Sequence, residues 1–301
     1  MKRPNFLLWL ALAAAATPAC GQSVAPAAGP GAAALPDFSG IWVHPSLPGF
    51  EPPRSGPGPV TNRVRLRNGV GNWNRLVGDY TNPILTPAAA AIVKRHGDLS
   101  LHGVVYPDRS NQCWPGGVPY ILFSFGMQVL QQPDKVTILY SHDHEYRRVR
   151  LNAQHPAKVT PSWFGDSVGH YEGDTLVVDT VGVKVGPFAM LDHYGTPYTE
   201  ALHIVERYRL LDYEAAKEGL DRDAKENLRV QPEMIDRGYR GKHLQVEFTV
   251  EDKGVFTVPW SATITYGRGL SEWEEDVCAE NIQEYYYRKE SEVPRADMPD
   301  F

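Results

Sequence analysis

The sequence predicts an all-β fold with minor helices, an antiparallel meander closed as a β-barrel or folded as a sandwich. Three observations carry the prediction. First, 25 prolines and 27 glycines among 301 residues favour many turns over a helix bundle. Second, residues 243–252 (HLQVEFTVED) alternate with a period of two: Leu244, Val246, Phe248 and Val250 on one face, Gln245, Glu247 and Thr249 on the other. Third, from Met127 onward strand-like runs follow one another across short turns.

The chain starts with Met1-Lys2-Arg3, an apolar run from Phe6 to Ala16, and small residues up to Ala19. That pattern reads as a secretory signal over 1–19, too short to span a bilayer as a mature helix. Two continuations stay open. Cleavage frees a soluble periplasmic protein, or Cys20, placed as in a bacterial lipobox, is lipidated and anchors the protein at the outer membrane of a Gram-negative cell. The membrane enters only through that anchor. Residues 20–36 form an Ala/Pro/Gly tether, and 37–301 read as a single β-rich domain.

Within that domain, Asp37 to Trp42 (DFSGIW) reads as a turn into a strand, and 46–75 as a long surface excursion. Thr86 and Pro87 open a short helix as N-cap and first residue, with Gly97 as its stop. Strands follow over 127–132, 135–142 and 145–152. A hairpin over 163–181 turns at Glu172-Gly173-Asp174. Further strands lie at 201–212, 243–252 and 260–266, with a helical or irregular excursion over 213–239 between the first two. Gly40-Ile41-Trp42 resembles the Gly-x-Trp that opens lipocalins, so a lipocalin-like barrel is the expected closure.

A formal charge of −6 with no Lys/Arg stripe argues against nucleic acid as a partner. Without a Gly-rich nucleotide loop, a CxxCH haem site or a Walker sequence, no NAD, haem or ATP is implied, and no cofactor is expected. Cys113 and Cys278 remain once Cys20 is set aside. In an exported protein they read as a disulfide, the other reading being two buried thiols.

The string WFGDSVGHYEGDTLVVDT (163–180), with Thr199 to Leu210, Asp252 to Trp260, Glu275 to Asn281 and DFSGIW, resembles a family of uncharacterised exported bacterial proteins. The resemblance covers most of the mature chain and implies export and an architecture, without a reaction. His170 and Tyr171 stand where that family carries Arg-Trp.

Gly165 to Gly169 also fits G-x-S-x-G, but a nucleophile elbow needs a helix after the serine, and Thr175 to Val181 is β-branched instead. Ser167 therefore reads as part of a hairpin. The better candidates are acids. Glu206 shares the inward face of its strand with Leu202, Ile204, Tyr208 and Leu210, either as a general base or in an ion pair with an arginine such as Arg148 or Arg150. Asp179 lies in an apolar strand, where it could pair with Glu206 so that their pKa values are driven apart. Asp166 and His170 complete the candidate catalytic set.

Trp163, Tyr171, His155 and Tyr208 are the candidate substrate-binding side chains. His142 and His144 would share one face of a strand, yet no third ligand follows and no metal site is expected. These residues point to an exported enzyme of lyase, isomerase or dehydratase type, running cofactor-free acid/base chemistry on a small apolar or aromatic molecule in a barrel pocket. The alternatives are a non-catalytic envelope lipoprotein carrying an apolar ligand and, more weakly, a serine hydrolase using Ser167.

Overall fold

The computed structural model describes residues 35–269 apart from Ser46, Val105, Tyr106, Phe125, Pro187, 227–234 and Arg237, together with Val277 and Cys278. The signal segment, Cys20, the tether up to residue 34, Trp273 and Tyr285 to Tyr287 lie outside the described residues.

Among the described residues, nine strands pair in sequence order and close into a barrel. They are β1 (Gly40–Val43), β2 (Met127–Gln131), β3 (Lys135–Tyr140), β4 (Tyr146–Leu151), β5 (Asp166–Glu172), β6 (Thr175–Val181), β7 (His203–Leu211), β8 (His243–Glu251) and β9 (Trp260–Arg268). The expected closure is borne out, with one difference: β4 and β5 run parallel, Val149 opposite Ser167, while every other pair, β1 with β9 included, is antiparallel. Parity explains it. Nine strictly alternating strands would leave β1 and β9 parallel, so antiparallel closure requires one parallel neighbour elsewhere. A parallel pair needs a crossover instead of a hairpin, and residues 152–165 supply it along the outside of the barrel.

This parity also sorts the connections. Those at 44–126, 141–145, 182–202 and 252–259 gather at one end, hereafter the capped end. Tight turns at 132–134 and 173–174, with the 212–242 connection, lie at the other. Gly173, with φ of 61°, sits in the two-residue β5–β6 turn that the hairpin reading placed there.

Inward positions of β8 are filled by Leu244, Val246, Phe248 and Val250, all buried. They meet Ile204, Tyr208, Ala262, Ile264 and Tyr266 in one continuous core. The expected surface excursion is more than that: Leu47, Phe50 and Val60 are buried, and Phe50 packs edge-on against Phe123 and Phe248. Its prolines and glycines hid three core anchors.

Helix α1 (Pro87–Leu101) begins at Thr86, whose hydroxyl accepts the Ala89 N–H, but it runs through Gly97 instead of stopping there. A Cβ on Gly97 would lie 2.8 Å from Val77 Cγ1, so the glycine serves close packing, and a Lys94–Asp98 pair one turn apart holds the helix across it. Helix α2 (Ile121–Ser124) is a single turn in the cap. Helix α3 (Tyr213–Glu226) occupies the charged excursion and packs mainly on β9. Cys113 and Cys278 form a disulfide, tying the 108–117 loop to a residue 165 positions on.

Candidate active site

Candidate side chains fall in three places: the sealed interior, the outer wall, and the capped end. In the interior, Glu206 is fully buried. Arg147 donates to it from two nitrogens, Nη1 to Oε1 at 2.9 Å and Nη2 to Oε2 at 2.5 Å, and the Tyr208 hydroxyl donates to Oε1 at 2.9 Å. The arginine is therefore neither Arg148 nor Arg150. On β4 the inward positions are Arg147 and Val149, and Arg147 reaches across from a strand that does not neighbour β7. Burial alone would lower the Arg147 guanidinium, but the adjacent Glu206 charge holds it above its ordinary value. Burial, then the Glu206 charge, pushes the Tyr208 phenol well up.

Ser167 belongs to this same layer. Its Oγ accepts Arg147 Nε at 2.9 Å and lies 3.0 Å from Thr180 Oγ1. Those are its side-chain partners among the described residues, and neither is a histidine. Nothing bonded to it there can act as the base that a serine nucleophile requires.

Asp179 and Glu206 do lie on adjacent strands, but they do not meet. The register sets Val178 opposite Glu206 and Asp179 opposite Val205, so one carboxylate points inward and the other outward. The expected coupled pair is corrected by this parity. Asp179 instead joins Asp166 and His155 on the outer wall. His155 Nδ1 lies 2.6 Å from Asp166 Oδ1 and its Nε2 lies 3.1 Å from Asp179 Oδ1, while His203 Nε2 is 3.0 Å from that same Asp179 oxygen. Arg150 Nη2 holds Asp166 at 2.7 and 2.9 Å. Three of the residues singled out from sequence are thus brought together, outside the barrel.

The remaining candidates scatter. His170 is exposed on the outer wall, 3.0 Å from Glu172, which Arg207 also holds. It sits beyond Asp166 along β5, opposite Val177 of β6. Tyr171 accepts the Gln131 side-chain N–H at 2.8 Å near the far end of the barrel. His142 and His144 share no strand, because β3 ends at Tyr140 and both lie in the β3–β4 turn. Among the described residues no group of three ligand-type side chains could hold a metal ion.

The capped end holds what the sequence did not reveal. Here His193 is nearly buried, with Nδ1 3.0 Å from Asp108 Oδ2 and 3.1 Å from the Tyr120 hydroxyl oxygen. Burial works to raise the Asp108 carboxyl, but the His193 hydrogen bond and charge, with the Asn111 backbone N–H, more than offset it and hold the group below its ordinary value. An ionised Asp108 can only accept, so in the neutral ring Nδ1 carries the proton and the lone pair sits on Nε2. Nε2 makes no hydrogen bond among the described residues. Trp73, Tyr120 and Phe123 surround the ring with centroids 5.7, 5.3 and 5.1 Å away. His96, close by, is lowered to about 4, chiefly by burial, with Asp108 opposing and His193 reinforcing the shift.

Next along the loop, Arg109 is buried. Its Nε donates to Phe188 O at 3.1 Å, and its other nitrogens donate to Gly116 O and the Tyr198 hydroxyl. The guanidinium lies 5.6 Å from the Trp163 ring, which Lys184 covers at 4.9 Å and Trp114 meets edge-on at 5.3 Å. Trp163, a predicted substrate-binding residue, is thus part of this end.

Glu145 accepts the Gly116 N–H at 2.9 and 3.1 Å. Its carboxyl is raised to about 7, mainly by burial and further by Asp143, against His142, the Gly116 N–H and Arg109. The turn that presents it is strained: Asp143 and His144 have φ of 47° and 53°, a left-handed pair where a hairpin usually places Asn-Gly. Sequence periodicity is blind to Asp108, Arg109, Tyr120 and His193 because they sit in irregular loops. The one signal in the sequence was SHDHE, a polar run between two strands.

Fold and site together define a closed nine-strand barrel whose long connections gather ionisable and aromatic side chains over one end. No protein-family model, curated protein or solved structure matches the chain.

Proposed function

We propose that the protein is a small-molecule enzyme running cofactor-free acid/base chemistry, of lyase, isomerase or dehydratase type, at the capped end of the barrel. The observation that carries this reading is the Asp108–His193 pair. A carboxylate fixes the tautomer at Nδ1 and leaves an Nε2 lone pair with no partner among the described residues, the arrangement of an oriented general base. Glu145, titrating near neutrality, supplies a second proton-transfer group in the same cap. The aromatic rings round His193 suit an apolar or aromatic substrate.

The test works without an identified substrate. A panel of small aromatic carbonyl and hydroxy compounds is incubated with the protein in D2O, and exchange of carbon-bound protons is followed by NMR. Exchange should occur with at least one compound and be lost in His193→Gln. Undiminished exchange in a folded His193→Gln variant removes His193 from the role.

One observation favours the second reading, a non-catalytic carrier: Glu206, the interior carboxylate expected to act as a base, is locked to Arg147. Saturable binding of a panel compound without exchange would support it. A serine hydrolase using Ser167 would instead be supported by labelling with a fluorophosphonate. Export, lipidation at Cys20 and kinship with the exported family rest on the N-terminal pattern and the 163–180 string. Mass spectrometry of the mature N-terminus separates the soluble from the anchored form.

A further inference from the structure

The outer-wall cluster has no place in the proton transfer proposed for the capped end, yet its geometry is specific. Both ring nitrogens of His155 face carboxylates, Asp166 Oδ1 at 2.6 Å and Asp179 Oδ1 at 3.1 Å. A neutral imidazole has one N–H, so only the imidazolium can donate to both. His155 belongs to the 152–165 crossover, and the two acids belong to β5 and β6, the wall over which that crossover runs.

The rest of the crossover is held mostly at its ends. Asn152 N donates to Gly169 O at 2.7 Å, while Ser162 N donates to Gly182 O at 3.1 Å and Ser162 O accepts Lys184 N at 2.8 Å. Between them lie a long 3.4 Å contact from Arg150 Nη1 to Gln154 O, the Val159 side chain against Gly182, and His155. Immediately after the far anchor comes Trp163, held beneath Lys184 and beside Arg109 and Trp114. The backbone carbonyl of Trp163 lies so close to Gly117 (φ 63°) that a side chain there would strike it. A shift of the crossover that carries the Ser162 anchor with it would therefore carry a wall of the capped end.

We propose that His155 is a proton-operated latch: its imidazolium fastens the 152–165 crossover to β5 and β6 and so fixes the placement of Trp163 at the capped end. Loss of the ring proton leaves one N–H for two carboxylates. One hydrogen bond goes and the two acids lose the cation between them. The ring meets Asp166 from β5 and Asp179 from β6, and Arg150 from β4 and His203 from β7 hold those two acids in turn. Arg150 stays on Asp166 at any pH of interest. His203 keeps its bond to Asp179 as a neutral Nε2–H tautomer, so the latch opens at His155 alone. It rests on this geometry and not on the catalytic role of His193.

Protein labelled with 5-fluorotryptophan reports Trp163 directly, its 19F resonance being identified by loss in Trp163→Phe. As the pH is raised far enough to remove the ring proton, the wild-type resonance should move from a latched to an unlatched position. In His155→Gln it should stay at the unlatched position throughout. The amides of residues 154, 155 and 157–160 should then exchange about tenfold faster at the acid end, the loss of one charge-assisted hydrogen bond. In His155→Arg, whose permanent charge can reach both acids, it should stay latched. A wild-type resonance that ignores pH, or one that follows the same course in His155→Gln, overturns the latch. Neither result bears on His193→Gln, so the failure of one proposal is distinguishable from that of the other.

Discussion

The barrel interior and the capped end each hold a carboxylate beside nitrogen donors, and the two arrangements do opposite things. In the interior both Glu206 oxygens are taken, by Arg147 and Tyr208, and Arg147 also donates to Ser167 and Thr180. The carboxylate is satisfied and sealed. At the capped end Asp108 occupies only one nitrogen of His193, and among the described residues the Glu145 carboxylate accepts only the Gly116 N–H. Burial alone does not mark a functional carboxylate. What separates the two regions is whether hydrogen-bonding capacity is left over after the protein has satisfied itself.

The largest effect expected from this comparison lies in the interior. Glu206→Gln leaves the Arg147 charge buried without its counter-ion and should cost about 3–5 kcal/mol of stability in urea denaturation. Replacing both partners by apolar residues (Arg147→Met with Glu206→Leu) should recover most of that loss, because the desolvation cost of both ions disappears. A double variant no more stable than Glu206→Gln would mean that Ser167 and Thr180 cannot tolerate losing the guanidinium. Next in size is the staple of the cap. Cys278→Ser frees the 108–117 loop and should cost about 2–4 kcal/mol, with local amide exchange rising first around Asp108 and Gly116.

A smaller effect should separate the two regions by pH. The native Glu145 carboxyl titrates at about 7, against an ordinary 4.5. Between those values the native state holds a proton that the unfolded state has released, so this group makes stability fall as pH rises from about 4.5 to about 7. Glu145→Gln should flatten that slope in thermal melts taken across the window. A slope that survives in Glu145→Gln would assign it to another raised acid, Glu51, which burial pushes to about 7, being the first to examine and Asp192, near 6, the second.

How much of this was legible in the sequence depends on whether periodicity carried it. Period-two alternation placed Glu206 and Tyr208 inward on β7, because neighbouring side chains on a strand must alternate. The same rule, without the register between β6 and β7, could not show that Asp179 faces away from Glu206. A one-residue offset decides it. The arginine partner was missed by one position for the same reason: Arg147, Arg148 and Arg150 all lie on β4, and only the inward parity singles out Arg147. Asp166, Asp179 and His155 were named from composition and spacing and do converge, though on the outer wall. Asp108, Arg109, Tyr120 and His193 had no periodic context at all. Their meeting depends on loops 44–126 and 182–202 folding over one end, a long-range event that no local pattern encodes.

The strained β3–β4 turn offers the finest test of the contrast between the regions, since it is the device that presents Glu145. Asp143 and His144 both lie in the left-handed region, closed by Glu145 N to His142 O at 3.0 Å and Tyr140 N to Glu145 O at 2.8 Å. A side chain in that conformation costs about 1–2 kcal/mol, and glycine avoids the cost. Comparing His144→Gly with His144→Ala removes the imidazole from both and leaves the backbone preference as the difference. Chemical denaturation should therefore find the glycine variant more stable by about 1 kcal/mol, once its greater freedom in the unfolded chain is set against the relief of strain. If the alanine variant is equally stable, the turn is relaxed by its surroundings and the placement of Glu145 costs the fold nothing. If glycine wins, and proton exchange falls as the turn relaxes, the strain is what holds Glu145 against Gly116.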